Sequence, residues 1–170
     1  MTPTDRMAAG VVVERRRIDN PWQDHAWRAV AVIPGAPPVG EWRLLREEGE
    51  RSYFHAATLD LELYARETDG YRVNLGQPVP QVFIVLRPGE DDSANEVEPF
   101  LVTACPYEAQ DYEDSGEEIV EGVPMPDDIA AWVRAFIDKH HVEVPFRKRK
   151  RKRKPYDPRK GGFARGPENG

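Results

Sequence analysis

The sequence predicts an α+β protein: an antiparallel, β-rich barrel or sandwich of about seven strands, pleckstrin-homology-like in its order of elements, closed by a C-terminal amphipathic helix. Three observations lead there. Short apolar runs, several with two-residue periodicity, recur along the first 105 residues. Sixteen prolines and thirteen glycines punctuate them, which leaves room for few long helices. One stretch near residue 130 instead carries apolar residues at helical spacing.

The elements follow in order. Met7–Arg17 is the first strand, with Ala8–Val13 as its apolar half, and Gly10 marks a bulge or a close backbone approach. Asp19-Asn20-Pro21 turns the chain. In Trp27–Pro34, Trp27, Ala29, Ala31 and Ile33 alternate with Arg28, Val30 and Val32, so both faces of this strand are covered. Gly35-Ala36-Pro37-Pro38 ends it. Glu41–Glu48 forms a strand through Trp42, Leu44 and Leu45. After Glu48-Gly49-Glu50, the extended stretch Ser52–Arg66 turns Leu59, Leu61 and Leu63 inward. A three-residue loop, Thr68-Asp69-Gly70, would pair Ala65 with Val73 and Leu63 with Leu75, burying apolar residues on one face. It predicts a hairpin with Gly70 left-handed in a G1 bulge. Gln81–Arg87 holds five consecutive apolar residues and is expected to be covered on both faces. Phe100–Cys105 is the last clear strand. Pro106–Tyr112 opens as a helical turn on its proline, and Asp111–Glu121 is an exposed acidic segment. In Pro126–His141, Ile129, Trp132, Val133, Phe136 and Ile137 form one stripe. Asp127 and Asp128 at its start and Lys139, His140 and His141 at its end suit the helix dipole.

Charge divides the chain in two. The last 24 residues hold eleven of the 24 Lys/Arg and two of the 30 Asp/Glu, so that segment carries +9 and the body before it −15. Lys139 is the only lysine in the body. The expected organisation is an acidic, β-rich domain with its helix over residues 1–146 and a disordered basic tail over 147–170. Within that tail Arg147, Lys148, Arg149, Lys150, Arg151, Lys152, Arg153 and Lys154 are eight consecutive cations, suited to a polyanion such as RNA, an acidic protein face or an anionic membrane. Tyr156 and Phe163 could stack on bases.

Catalytic patterns are missing from the sequence. His140 and His141 are adjacent and so do not share a helix face, and neither Cys-x-x-Cys nor His-Glu-x-x-His occurs. The three serines fall in no Gly-x-Ser-x-Gly elbow, and no glycine loop cradles a phosphate. The single cysteine, Cys105, reads as a small hydrophobe and excludes an internal disulfide. No run approaches the ~20 apolar residues of a membrane span. The expectation is a cytoplasmic, non-enzymatic protein with no cofactor, metal or membrane span. Acidic clusters at Glu108–Asp114 and Glu117–Glu121 read as a face for a basic partner, with Glu113, Asp114, Glu117 and Glu118 as docking carboxylates. Trp22 and Trp42 lie near turns and are candidate contact anchors.

Four blocks, Pro21–Gly35, His55–Leu75, Tyr107–Pro126 and Ala131–Phe146, resemble a small bacterial family of unknown function. Its members are typically encoded beside molybdenum-dependent formate dehydrogenase and its accessory proteins. The resemblance implies an accessory or adaptor role in the maturation, assembly or stability of that enzyme, with the dehydrogenase or a maturation factor as protein partner. It carries no catalytic residues across. An RNA-binding or ribosome-associated protein using the basic tail is the alternative. A molybdopterin-cofactor maturation enzyme, with a pocket lined by carboxylates or His55, is a third. Some relatives carry a molybdopterin-guanine dinucleotide biosynthesis label. Here Asp5-Arg6-Met7-Ala8-Ala9-Gly10 lacks the glycines and lysine of the loop that such an activity implies.

Overall fold

Ala9, Val11 and Val13 point from β1 (Asp5–Arg17) into the core and are fully buried. The computed structural model describes residues 5–89 and 95–140. The chain divides into one unit over Met1–Ile137 and a second over Asp138–Gly170; only the start of the second is described. In the first unit, β1 pairs antiparallel with β2 (His25–Pro34) on one side and β4 (Arg51–Leu63) on the other. With β3 (Arg43–Glu48) they form a sheet in the order β2-β1-β4-β3. Register shifts insert one extra residue at Val30, Ala56 and Leu45. Such bulges bend the strands and change which residues face the core.

A second antiparallel sheet, in the order β6-β5-β7, is built from β5 (Gln81–Pro88), β6 (Val97–Thr103) and β7 (Ile119–Pro124). β4 lies against β6, and β2 against β7, giving an open sandwich. Val82, Ile84 and Leu86 of β5 join the β1 residues in one core. Pro99 sits at the bulge of β6, an edge strand, where its missing N–H costs no ladder bond.

Three helices complete the α+β fold. The sequence-predicted C-terminal helix is present as α3 (Asp127–His140). Ile129, Val133, Phe136 and Ile137 are buried, at about 1.5–3 kcal/mol of burial each before entropy. Trp132 is half-buried, and its indole N–H donates to Asp5 Oδ2 at 3.0 Å, tying α3 to the start of β1. The far end of β1 is closed by aromatic rings. Trp42 packs between Trp27 and Phe54, with successive centroids 5.6 Å apart. The helix α2 (Pro106–Ser115) begins on its proline and ends at Gly116, left-handed at φ 78°. It packs on the second sheet, with Ala109 buried.

Two sequence expectations are corrected. No hairpin forms at Thr68-Asp69-Gly70; the chain runs through a 3-10 turn (Ala65–Glu67) into α1 (Thr68–Leu75). Helical spacing is preferred because it buries Tyr71 and Asn74 together. The Asn74 amide donates to the carbonyls of Gln81 (2.7 Å) and Ala104 (2.9 Å) and accepts the Gln81 N–H (2.9 Å). A strand would place residues 71 and 74 on opposite faces. Gly70 is therefore needed for space and not for a left-handed turn: a Cβ there would lie 2.6 Å from Cys105 Sγ. The other correction is β7, which occupies part of the segment read as an exposed acidic loop. Seven strands result, but Tyr71–Leu75 is not one of them.

Candidate functional site

The two sheets differ on their outer faces. That of the second sheet is partly covered by α2, whereas that of the first presents arginines. The pairing explains why. Glu14 lies between Arg28 and Tyr53, with Arg46 one strand further; Arg16 lies between Ala26 and Arg51, with Glu48 beyond; Arg43 sits beside His55. Arg16, Arg28, Arg43, Arg46 and Arg51 are all exposed. Five of the body's twelve arginines thus share one face of a domain whose net charge is −15.

Glu14 organises this face. It is only 4% exposed, so its charge requires partners. Arg28 Nε donates to Oε1 at 3.2 Å and Tyr53 Oη to Oε2 at 3.1 Å, while Arg51 Nη1 stands 3.8 Å away. Arg46 stacks over the Tyr53 ring, 4.2 Å from its centroid, and pairs with Glu48 at 2.7 Å. Arg16, Arg28 and Arg51, with Glu14, Ala26 and Trp27, line an open cavity of about 290 Å³. The β1–β2 connection ends beside this row, and on it Trp22 is 88% exposed. Its backbone N–H donates to Asn20 Oδ1 at 2.7 Å, which fixes the turn.

The residues singled out from sequence lie elsewhere. Glu113, Asp114, Glu117 and Glu118 are brought together by the end of α2 and its turn into β7. Glu118 accepts the Ser115 hydroxyl at 2.6 Å, and the other three are exposed. Arg147–Lys154 and His141 lie outside the described residues. Trp42 is half-buried within the aromatic cluster. His55 is 3% exposed and bonds Thr58 Oγ1 at 2.8 Å. The Thr58 proton goes to the Pro37 carbonyl at 2.7 Å, so His55 Nε2 must be the donor. Gly10 leaves room for this arrangement, since a Cβ there would meet Ala36 at 2.8 Å and His55 at 3.0 Å. The histidine is locked into the fold.

A second polar group of interest lies under α1. Burial pushes the Cys105 thiol up, away from the reactive thiolate. Burial also raises Glu67, and it raises Tyr71, whose hydroxyl accepts the Tyr64 N–H at 2.9 Å. A hydrogen bond to Glu62 leads the causes that push Tyr64 up to about 12. The Tyr71–Tyr64 bond ties α1 to the residue that follows β4. Among the described residues no group of three His, Cys, Asp or Glu is placed to hold a metal ion, and no helix is long and apolar enough to cross a membrane.

Fold and surface define a sandwich-like α+β domain with an arginine-bearing open sheet. The chain belongs to the family described as "Protein of unknown function (DUF3305)", whose model matches residues 8–150. No curated protein and no solved structure matches it.

Proposed function

We propose that this protein is a non-enzymatic contact module that docks an acidic protein surface on the outer face of its four-stranded sheet. One observation carries the reading: five exposed arginines stand on an open sheet face, with an 88% exposed tryptophan at its end. Arginine and tryptophan are the residues around which binding energy concentrates, at about 2 kcal/mol or more for a central anchor. Counting Glu14 and Glu48, the face is net positive on a negative body, which orients an acidic partner before contact. The basic run Arg147–Lys154 adds long-range attraction of the same sign. The resemblance of the four sequence blocks directs the choice of partner toward molybdenum-dependent formate dehydrogenase or one of its maturation factors, for which the protein serves as accessory.

Affinity capture with the full chain from cells expressing the dehydrogenase tests both parts. The expected result is enrichment of the dehydrogenase or a maturation factor, lost in an Arg43→Glu/Arg46→Glu variant and weakened by Trp22→Ala. Absence of those proteins from the eluate defeats the accessory role. Capture that survives the charge reversal defeats the assignment of the face. Tight binding of structured RNA with a steep salt dependence, abolished by removing residues 147–170, would replace this reading with the nucleic-acid one.

A further inference from the structure

We propose that the cavity framed by Arg16, Arg28 and Arg51 around Glu14 is a binding site for a small, doubly charged oxyanion of the phosphate class. The inference rests on the reading of this sheet face as a binding surface, and adds a ligand that the docking of a protein does not require.

The local charge sets the ligand's charge. Three guanidiniums and one carboxylate line the cavity, leaving two positive charges unmatched within it. A dianion balances them; a neutral ligand does not, and a cation is repelled. The geometry of the arginines favours an oxyanion over a lone halide. Glu14 engages Arg28 through Nε at 3.2 Å, which fixes the guanidinium plane and leaves its two terminal nitrogens as donors. Arg51 approaches Glu14 at 3.8 Å, beyond hydrogen-bond distance, so its donors are not consumed by that carboxylate. Planar forks with several N–H groups match the paired oxygens of phosphate better than a point charge does. Tyr53 turns its hydroxyl to Glu14 at 3.1 Å and supports that carboxylate.

Size is compatible with the class. At about 290 Å³ the cavity lies just under the ~300–1,000 Å³ of sites for drug-sized molecules, and one phosphate-sized group fits it. Glu14 acts here as a positioning residue: buried and held from two strands, it presets the arginines that would otherwise pay side-chain entropy on binding.

The test is isothermal titration of the full chain with inorganic phosphate at pH 8 and low ionic strength, referenced to sodium chloride at matched ionic strength. The expected result is one saturable site. Arg16→Gln, which lines the cavity without bonding Glu14, weakens it about tenfold, and Arg51→Gln does the same should the first variant fold poorly. Arg43→Gln, on the same face but outside the cavity, leaves it unchanged. Heats indistinguishable from chloride overturn the proposal. So does a dissociation constant unmoved by both cavity variants, or binding of succinate without binding of phosphate. Partner capture, read through Arg43 and Arg46, can persist when phosphate fails to bind, so the two readings fall separately.

Discussion

Replacing Gly70 by alanine sets two effects of opposite sign against each other. Gly70 lies inside α1, and it is absent from the positive-φ glycines, so alanine can adopt its backbone. In a helix interior that exchange contributes about 0.5–1 kcal/mol of stability through backbone entropy. The new methyl, however, would stand 2.6 Å from Cys105 Sγ and 3.3 Å from a Tyr107 ring carbon. Cys105 is 3% exposed and anchors the start of α2, so the sulfur has little room to retreat. Overpacking of this kind costs about 1–3 kcal/mol. The steric cost wins, and Gly70→Ala should destabilise by about 0.5–2 kcal/mol. In a Cys105→Ala background the sulfur is gone and only the 3.3 Å approach to the Tyr107 ring remains, so the same substitution should cost less than in the parent or become neutral. Urea unfolding of the four proteins, with slopes that remain equal, gives the coupling directly. A coupling within the ~0.3–0.5 kcal/mol error of additivity refutes the close approach of α1 and α2. So does a stabilising Gly70→Ala in the parent protein.

Other substitutions separate burial from exposure. Phe136→Ala removes a 4% exposed ring from α3 and should cost about 3–5 kcal/mol by denaturant melts; Trp132→Ala, half-buried, should cost less, and the reverse order would misplace the helix face. Trp22→Ala should leave stability within about 0.5 kcal/mol while weakening partner capture, so a large loss of stability would show the indole to be packed. Asn74→Ala strips partners from the buried Ala104 carbonyl and from Gln81, and should cost about 1–3 kcal/mol; an unchanged melt would mean that water replaces the amide. Burial raises Glu121, opposed in part by the Ala29 N–H that it accepts at 2.5 Å. A raised carboxyl contributes stability in full below its ordinary value of 4.5 and loses it as pH climbs through the folded value. Glu121→Gln keeps an acceptor for Ala29, so its melting temperature should exceed the parent's at pH 7, the gain shrinking toward pH 4. A lower melting temperature at pH 7 would refute the sign.

Much of the fold was legible because its strands are bounded by Pro, Gly and Asp-Asn turns and carry plain apolar alternation. β1, β2, β4 and β5 could be read in this way, as could α3 from its single stripe. Tyr71–Leu75 was misread because its apolar residues also fit a period of two; burial of Asn74, a tertiary effect, decides for the helix. β7 was hidden by the acids that precede it, Glu117 and Glu118, and by its own Glu121, which faces inward to satisfy a backbone N–H on the other sheet. The arginine face was not legible as a face. Arg16, Arg28, Arg43, Arg46 and Arg51 meet only through the order β2-β1-β4-β3, and three inserted residues shift the alternation that would have assigned their faces. Two signals pointed toward it. Glu14 closes an otherwise apolar run, and the body uses arginine almost to the exclusion of lysine.

The placement of β1 also bears on how the molecule reaches its native state. This strand, apolar over Ala8–Val13 and central in its sheet, precedes both neighbours in the chain, yet Val12 pairs with His55 and Asp5 with Leu63. During synthesis Ala8–Val13 can zip to β2 early, but the other edge stays bare until β4 has emerged. Loop closure over that span slows the last pairing, and the waiting ribbon is the region where a chaperone would bind or aggregation would begin.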